Sequence, residues 1–258
     1  MDFRYVIKGA SAPEKVILFP LSDEREEEEL LENVYERVCE MFQEAAEGCN
    51  ADKHGGAFDF AIVGVFVPDW DRYLSPWRFE DERRHFSGEG ETLLAFILDT
   101  LLPELKERFQ PASSASSRRA SSAPSFLIGG YSLSGLFCLW AALKTRAFSG
   151  CASCSGSVWY PGFYEWALKK AGETAHESCR SASEAPEAFR LYLSLGTREE
   201  KTRDPYMREV GNCTRGLYEH FSSDPARFST VLEWNPGNHF RDVPERIAKG
   251  FFRLLKKT

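Results

Sequence analysis

The apolar run from Phe58 to Val67, interrupted only by Asp59, is the feature that most restricts the possible folds of this chain. A strand with one exposed face alternates apolar and polar residues, whereas a strand without a polar face has to be covered on both sides. Helices supply that cover when neighbouring strands run parallel. The run therefore predicts a central strand of a parallel sheet that lies between two layers of helices.

Strand-like and helix-like segments alternate along the rest of the chain, which is typical of an α/β fold with a mostly parallel sheet. Amphipathic spacing predicts helices over 26–46, 91–109, 134–145, 205–221 and 243–255. Apolar or small-residue runs predict strands over 3–7, 15–19, 125–128, 150–155, 190–195 and 228–234. We expect one domain over 1–258, with helices on both faces of the sheet.

Two segments between these elements bear on the shape of the domain. Residues 111–124 are rich in Ser, Ala and Arg and contain almost nothing to bury, so we expect a flexible surface insertion there. The segment between the strands at 150–155 and 190–195 is too short for a large lid domain. An open cleft is therefore expected.

Composition and charge exclude several classes of function. A net charge of −7 argues against a nucleic-acid-binding protein, which would carry a basic surface. No apolar stretch approaches the roughly 20 residues that span a membrane, and the sequence from Met1 lacks the apolar core of a signal peptide. A cytoplasmic location is the expectation. Cys151 and Cys154 form a C-x-x-C pair without a second pair or a nearby histidine, so we expect no metal.

The chemistry is indicated by the stretch from Phe126 to Leu136, which predicts a strand, a tight turn and a helix. The turn reads G-Y-S-L-S-G over residues 130–135, close to the G-x-S-x-G pattern of a nucleophile elbow. A serine in this turn is exposed at a helix N-terminus, where the helix dipole favours developing negative charge. A serine that only caps the helix is the alternative interpretation.

Two serines compete for the position of the nucleophile. Because the turn is crowded, the residues two before and two after the nucleophile have to be small. For Ser132 these are Gly130 and Ser134, whereas for Ser134 the second would be the bulky Leu136. The sequence therefore favours Ser132, although Ser134 replaces the usual second glycine.

A serine hydroxyl needs a base, which is a histidine oriented by a carboxylate. In α/β hydrolases these residues follow in the order serine, acid, histidine. Among the five histidines, His239 is the candidate because it lies in a turn between the last strand and the last helix. The other four look like surface residues: His54, His85, His176 and His220.

The acid is expected in the loop after the strand at 190–195. Glu199 lies three residues past Gly196 and is the first choice, with Glu200 and Asp204 as alternatives. These carboxylates could instead form surface ion pairs, and a serine–histidine dyad without an acid is also possible.

Two backbone N–H groups are needed to hold the oxyanion of the tetrahedral intermediate. The first is expected from Leu133, directly after the nucleophile, and the second from Leu21, with Ser22 as the alternative. Two aromatic-rich loops, 67–77 and 155–163, follow predicted strands and should border the same crevice. The predicted substrate-binding residues are Trp70, Tyr131, Ser157 and Trp159.

With these features assembled, the chain resembles the esterase D-like branch of the α/β hydrolases, which includes ferric-siderophore esterases. The resemblance rests on the segments 130–137, 153–159, 69–70, 74–77 and 235–240. It implies an α/β-hydrolase fold and an esterase that works without a cofactor. Ser132 matches the family nucleophile, His239 the histidine and Glu199 the acid position.

The function expected from the sequence is hydrolysis of a small-molecule carboxylic ester through an acyl-enzyme. An acyltransferase that uses the same acyl-enzyme is one alternative, and a catalytically silent α/β-hydrolase domain that binds a ligand is another. Neither nucleic acid nor membrane is an expected partner. The sequence indicates neither the ester nor the oligomeric state.

Overall fold

A computed structural model describes residues 3–47, 59–110, 123–177 and 187–256 of the chain. The predicted insertion at 111–124 lies almost wholly outside the described residues, because only its last two positions fall within them. Across the described residues, no helix is long and apolar enough to cross a membrane.

The central sheet of the described residues has seven strands. From one edge to the other they are β1 (Arg4–Gly9), β3 (Phe60–Val67), β2 (Lys15–Ser22), β6 (Ser125–Tyr131), β7 (Gly150–Cys154), β8 (Phe189–Gly196) and β9 (Phe228–Asn235). Only β1 pairs antiparallel, and the other strands run parallel to one another. Every residue of β3 is buried, which confirms the central position predicted for the apolar run.

Eight α-helices and a small hairpin surround the sheet in the described residues. The helices are α1 (Arg25–Glu47), α2 (Trp70–Tyr73), α3 (Gly90–Phe96), α4 (Leu102–Arg108), α5 (Leu133–Lys144), α6 (Phe163–Glu177), α7 (Val210–Ser222) and α8 (Val243–Leu255). The hairpin consists of β4 (Phe79–Glu80) and β5 (His85–Phe86).

The two faces of the sheet carry separate apolar cores. In one core, buried side chains of α1 and α8 pack against one face of the sheet. In the other, buried side chains of the five helices α3, α4, α5, α6 and α7 pack against the opposite face. Burial of both faces is what a parallel sheet requires. The predicted α/β architecture with helices on both faces is therefore confirmed.

Three elements differ from the prediction. The helix predicted over 91–109 is divided by a π-turn at Ile97–Leu101, just before Pro103, whose missing N–H disfavours regular helix. The α7 helix begins at Val210, not at 205, because the Asp204 carboxylate accepts two backbone N–H groups and holds the preceding segment in a turn. The α6 helix was not predicted, although Phe163, Ala167 and Ala171 are buried at helical spacing.

Two glycines offer a matched test of how the helices pack on the sheet. A Cβ at Gly129 in β6 would lie 2.5 Å from Phe251 Cε1 of α8, whereas no described atom lies within 4 Å of a Cβ at Gly172 in α6. Gly129→Ala should destabilise the fold by about 1–3 kcal/mol through overpacking. Gly172→Ala should stabilise it by up to about 1 kcal/mol, because alanine favours helix.

Urea unfolding of the two alanine variants beside the wild type measures both effects. Phe251→Leu should recover part of the stability that Gly129→Ala loses, because it removes the atom that the new methyl group meets. Equal unfolding midpoints for the two alanine variants would contradict this description of the packing.

Candidate active site

Ser132 is the single residue between the end of β6 and the start of α5. Its backbone has φ 57° and ψ −121°, a conformation that costs a non-glycine residue about 1–3 kcal/mol. Gly130 permits this sharp turn, since a Cβ at that position would lie 2.1 Å from Ser134 Oγ. The strand, turn and helix order of a nucleophile elbow is thus present around Ser132.

The departure from G-x-S-x-G is explained by the contacts of the two residues that follow. Ser134 is fully buried, and its hydroxyl donates to the backbone oxygen of Pro20 at 2.7 Å. A Cβ at Gly135 would lie 3.0 Å from Gly130 O and 3.1 Å from Gly156 Cα. The glycine is therefore needed one position later, where α5 approaches the backbone after β7, and Ser134 is shielded from a substrate.

The serine, the histidine and the first-choice acid form one hydrogen-bonded chain. His239 Nε2 lies 2.9 Å from Ser132 Oγ, and His239 Nδ1 lies 2.6 Å from Glu199 Oε2. The Glu199 side chain is 5% exposed and that of His239 is 22% exposed. A nucleophile, a base and a group that orients the base are therefore within hydrogen-bonding distance of one another.

Two loops at the carboxyl ends of β8 and β9 bring the acid and the histidine together. Thr197 N–H donates to Asn235 O at 2.9 Å, and Arg198 N–H donates to Gly237 O at 3.0 Å. Gly196 allows this approach, because a Cβ there would lie 2.7 Å from Gly237 O. Backbone bonds between adjacent parallel strands thus continue into the loops that carry Glu199 and His239.

The second oxygen of the Glu199 carboxylate has three donors of its own. Glu199 Oε1 accepts from Gly196 N–H at 2.7 Å, from Ser155 Oγ at 2.7 Å and from Arg246 Nη1 at 3.0 Å. Burial alone would raise the pKa of Glu199, but the hydrogen bond and charge of His239, with the bonds from Ser155 and Gly196, outweigh it and lower the pKa below 4.5. The carboxylate is therefore ionised at neutral pH.

The alternative acids are engaged elsewhere. The Glu200 carboxylate accepts from Arg215 at 2.9 Å at the surface. Asp204 pairs with Arg84 and caps the turn before α7. Of the three carboxylates considered from the sequence, Glu199 is the one that binds the histidine ring.

Two of the other histidines are exposed, as the sequence suggests. The ring of His85 lies 2.9 Å from the Glu80 carboxylate in the β4–β5 hairpin, and His220 lies at the exposed end of α7. His54 and the side chain of His176 lie outside the part of the chain that the structure describes.

The four predicted substrate-binding residues occupy two kinds of position. Tyr131 and Ser157 are buried behind the site: Tyr131 OH donates to His239 O at 2.6 Å, and Ser157 N–H donates to Ser132 O at 2.9 Å. Trp70 begins α2 and Trp159 follows β7, and both rings are half-buried. Contact of any of the four side chains with substrate stays a prediction.

The N–H groups along β2 point alternately to its two neighbouring strands, which bears on the choice between Leu21 and Ser22 as the second oxyanion donor. Lys15 N–H and Asp23 N–H, at the two ends of β2, both donate to backbone oxygens of the β3 segment. Successive N–H groups of a strand point to opposite neighbours, so Leu21 N–H also faces β3, whereas Ser22 N–H faces the β6 side. The pairing of β2 with β6 ends at Leu18, which leaves the Ser22 N–H directed to the elbow side. The hydrogen-bonding pattern of β2 therefore favours Ser22 over Leu21 as the second oxyanion donor.

Metal and redox chemistry find no further support in the described residues, which contain no group of three or more His, Cys, Asp or Glu side chains arranged to hold a metal ion. Cys151 and Cys154 are buried free thiols in β7. Burial raises the pKa of both, so that they are protonated and unreactive at neutral pH.

Ser155 and Arg246 were not singled out from the sequence, although both bind the Glu199 carboxylate. Ser155 has φ 44° and ends β7. Arg246 lies on the buried face of α8, next to Ile247 and four residues before Gly250. A charged residue among apolar residues at helical spacing was the available signal for Arg246, whereas nothing in the sequence distinguishes Ser155 from its neighbours.

Comparison with known proteins identifies the family. The sequence family described as "Putative esterase" matches residues 42–215. The chain belongs to this family. The resemblance noted from its motifs is confirmed. The matched stretch contains Ser132 and Glu199 and ends before His239.

One curated protein is similar to part of the chain. Uncharacterized protein YbbA of Bacillus subtilis is 28% identical over 165 residues, which are 62% of this chain and 58% of that protein. The match thus spans less than two thirds of this relative.

Solved structures share the fold. An IroE-like serine hydrolase of Shewanella oneidensis has a TM-score of 0.67 at 12% identity over 98% of this chain and 75% of its own. The siderophore hydrolase EstA of Aspergillus nidulans has a TM-score of 0.62 at 15% identity over 96% of this chain and 84% of its own. The predicted α/β-hydrolase fold is confirmed.

The lowered pKa of Glu199 predicts a pH-dependent contribution to stability. A carboxylate whose pKa is lower in the folded state stabilises the fold above its unfolded pKa, and this contribution is lost as the pH falls through the folded pKa. Glu199→Gln should therefore cost on the order of 3 kcal/mol at pH 7, because it leaves Arg246 buried without its anion. The cost should shrink below pH 4.5, the usual value for glutamate.

Urea unfolding at pH 7 and at several values below pH 4.5 measures the difference. Glu200→Gln is the control, since its carboxylate is 32% exposed and pairs with Arg215 at the surface. That variant should lose less than about 1 kcal/mol at any pH. A cost of Glu199→Gln that does not change with pH would contradict the assignment.

Proposed function

We propose that this esterase hydrolyses a small-molecule carboxylic ester through an acyl-enzyme formed on Ser132. The observation that carries the proposal is the pair of contacts of one imidazole, 2.9 Å to Ser132 Oγ and 2.6 Å to Glu199 Oε2. This is the arrangement that converts a weakly nucleophilic hydroxyl into a nucleophile.

The reaction follows from the roles of these three groups. His239 Nε2 takes the hydroxyl proton as Ser132 Oγ attacks the ester carbonyl, and the protonated imidazole then gives that proton to the leaving alcohol. Glu199 holds Nδ1–H and stabilises the imidazolium. Water, activated by the same imidazole, releases the acid in the second half of the cycle.

The oxyanion of the tetrahedral intermediate is proposed to bind two backbone N–H groups. Leu133 N–H is the first, because it follows the nucleophile at the N-terminus of α5. Ser22 N–H is the second, in place of Leu21, whose N–H faces β3. The bond from Ser134 Oγ to Pro20 O supports this choice, since it fixes the end of β2 against the elbow.

The substrate is proposed to enter between the loops that follow β3 and β7. Trp70 and Trp159 are half-buried, so each has apolar ring surface available to an acyl or alcohol group. Tyr131 and Ser157 would then act on the substrate indirectly, through the His239 and Ser132 backbones that they bind.

Ser132→Ala should lower the turnover of a p-nitrophenyl ester by about 10⁶-fold while the fold is retained, because no other hydroxyl can form the acyl-enzyme. A fluorophosphonate probe should label the wild type and fail to label Ser132→Ala. Ser134→Ala should still be labelled, since the wild-type Ser134 hydroxyl is buried and bound to Pro20 O and is therefore not the group that the probe attacks. Labelling of Ser132→Ala would overturn the proposal.

The assignment of the second oxyanion donor is tested at Ser22. Ser22→Pro removes the N–H and should lower kcat by roughly 10²- to 10³-fold, with little loss of stability because this N–H takes no part in the β2–β3 ladder. Ser22→Ala keeps the N–H and should retain wild-type kcat. Equal kcat values for the two variants would contradict Ser22 as the second oxyanion donor and would favour Leu21 or another N–H group.

The same variants can be assayed with a siderophore ester as well as with p-nitrophenyl esters. This choice follows from the similarity in fold to the siderophore hydrolase EstA. A higher kcat/KM for the siderophore ester, lost in Ser132→Ala, would assign the substrate class to the same nucleophile.

A further inference from the structure

Arg246 is a charged side chain held inside the molecule, on the face of α8 that packs against the sheet. Its side chain is 1% exposed. Burying a guanidinium costs several kcal/mol unless a carboxylate and further acceptors satisfy it. The contacts of Arg246 therefore indicate why a charge is retained at this position.

One nitrogen of the guanidinium contacts the acid and the groups around it. Arg246 Nη1 donates to Glu199 Oε1 at 3.0 Å, to Tyr131 OH at 3.1 Å and to Ser155 Oγ at 3.3 Å. Tyr131 OH in turn donates to the backbone oxygen of His239 at 2.6 Å. This side of Arg246 thus fixes the acid directly and the histidine through one intermediate hydroxyl.

The other nitrogen contacts the loop that carries the histidine. Arg246 Nη2 donates to Pro236 O at 3.0 Å and to Asn238 O at 2.9 Å. The planar guanidinium therefore joins the loop after β8 to the loop after β9 at a fixed separation, which a flexible ammonium could not do.

We propose that Arg246 is a positioning residue of the esterase, which holds Glu199 and the His239 loop in register and supplies a fixed positive charge behind them. This inference rests on the proposed function, because Arg246 contacts neither the nucleophile nor the substrate and acts through Glu199 and His239. Its role therefore concerns the alignment and the protonation of that pair.

The charge has a predictable effect on the pH dependence of the reaction. His239 can take the Ser132 proton only when neither Nε2 nor the Glu199 carboxylate already carries an additional proton. A positive charge 3.0 Å from Glu199 Oε1 opposes uptake of that proton. Its removal should move the acidic limb of the kcat/KM profile to higher pH.

Other titratable groups near this pair do not compete with that effect. Burial raises the pKa of Tyr131, and it raises that of Cys154 to about 12, so both are neutral in the assay range. Charged groups on the adjoining elements include the Lys249–Glu233 and Arg37–Glu245 pairs, the exposed Arg241–Asp242 pair, Arg198, and Glu200 with its partner Arg215. They are present in every variant below.

The test compares kcat/KM against pH for three variants. Arg246→Met should lower kcat/KM by about 100-fold through loss of alignment and should move the acidic limb to higher pH. Arg246→Lys should keep the acidic limb near its wild-type position but lose part of kcat/KM, since it keeps the charge without the planar fork. Arg253→Met, on the exposed side of the same helix, should match the wild type in both measurements.

A double-mutant cycle separates positioning through Glu199 from a general loss of structure. In a Glu199→Gln background, Arg246→Met should lower kcat/KM by clearly less than about 100-fold, because only the contacts of Arg246 with the His239 loop and Tyr131 remain to be lost. A full 100-fold loss in that background would overturn the proposal. So would a wild-type pH profile for Arg246→Met.

Circular dichroism and urea unfolding report whether each variant is folded. If Arg246→Met does not fold, Arg246→Lys and the variant that lacks both charges, Arg246→Met with Glu199→Gln, decide the question. Wild-type kcat/KM in Arg246→Lys would then contradict the need for the guanidinium fork. Unchanged turnover in Ser132→Ala would refute the proposed function itself, whereas a strongly impaired Ser132→Ala beside an unaffected Arg246→Met would refute only the role of Arg246.

Discussion

The close approach of α5 to the backbone that follows β7 is the constraint on which the rest of the site depends. Ser132 has a backbone conformation that is unfavourable for serine, and its own amide groups hold it there. Its N–H donates to Cys154 O at 3.1 Å, and its oxygen accepts from Ser157 N–H at 2.9 Å. Gly135 and Gly156 face each other at this contact. A larger side chain at either position would separate the nucleophile from the segment that holds it.

Much of the fold could be predicted from the sequence because the signals involved are local. The inner parallel strands are buried on both faces and are therefore runs of apolar or small residues, and long helices such as α1 and α8 carry an apolar stripe. The elbow is equally local, since a crowded turn imposes small residues two positions on either side of Ser132. The α6 helix was missed although it carries the same local signal, since Phe163, Ala167 and Ala171 are buried four residues apart.

The details of the site depend on geometry that no local pattern encodes. Glu199 and Glu200 are adjacent and chemically alike, and only the path of the loop after β8 directs one to His239 and the other to Arg215. The two oxyanion candidates differ in the same way, because neighbouring N–H groups of a strand point to opposite strands. A choice between adjacent residues requires the pairing of the strands, which the sequence does not contain.

The charges in the site show why a buried arginine is compatible with catalysis. Glu199 stabilises the imidazolium that forms on His239, and a second positive charge on the same carboxylate weakens that stabilisation. The two cations bind different oxygens, however: His239 faces Oε2 and Arg246 faces Oε1. Burial alone would favour a protonated acid, which cannot balance the imidazolium, and Arg246 adds a charged donor to the bonds from His239, Ser155 and Gly196 that keep Glu199 ionised. A fixed cation on the far oxygen thus keeps the carboxylate ionised and aligned, at the expense of part of its attraction for the imidazolium. This balance favours catalysis as long as alignment contributes more to the rate than the lost attraction.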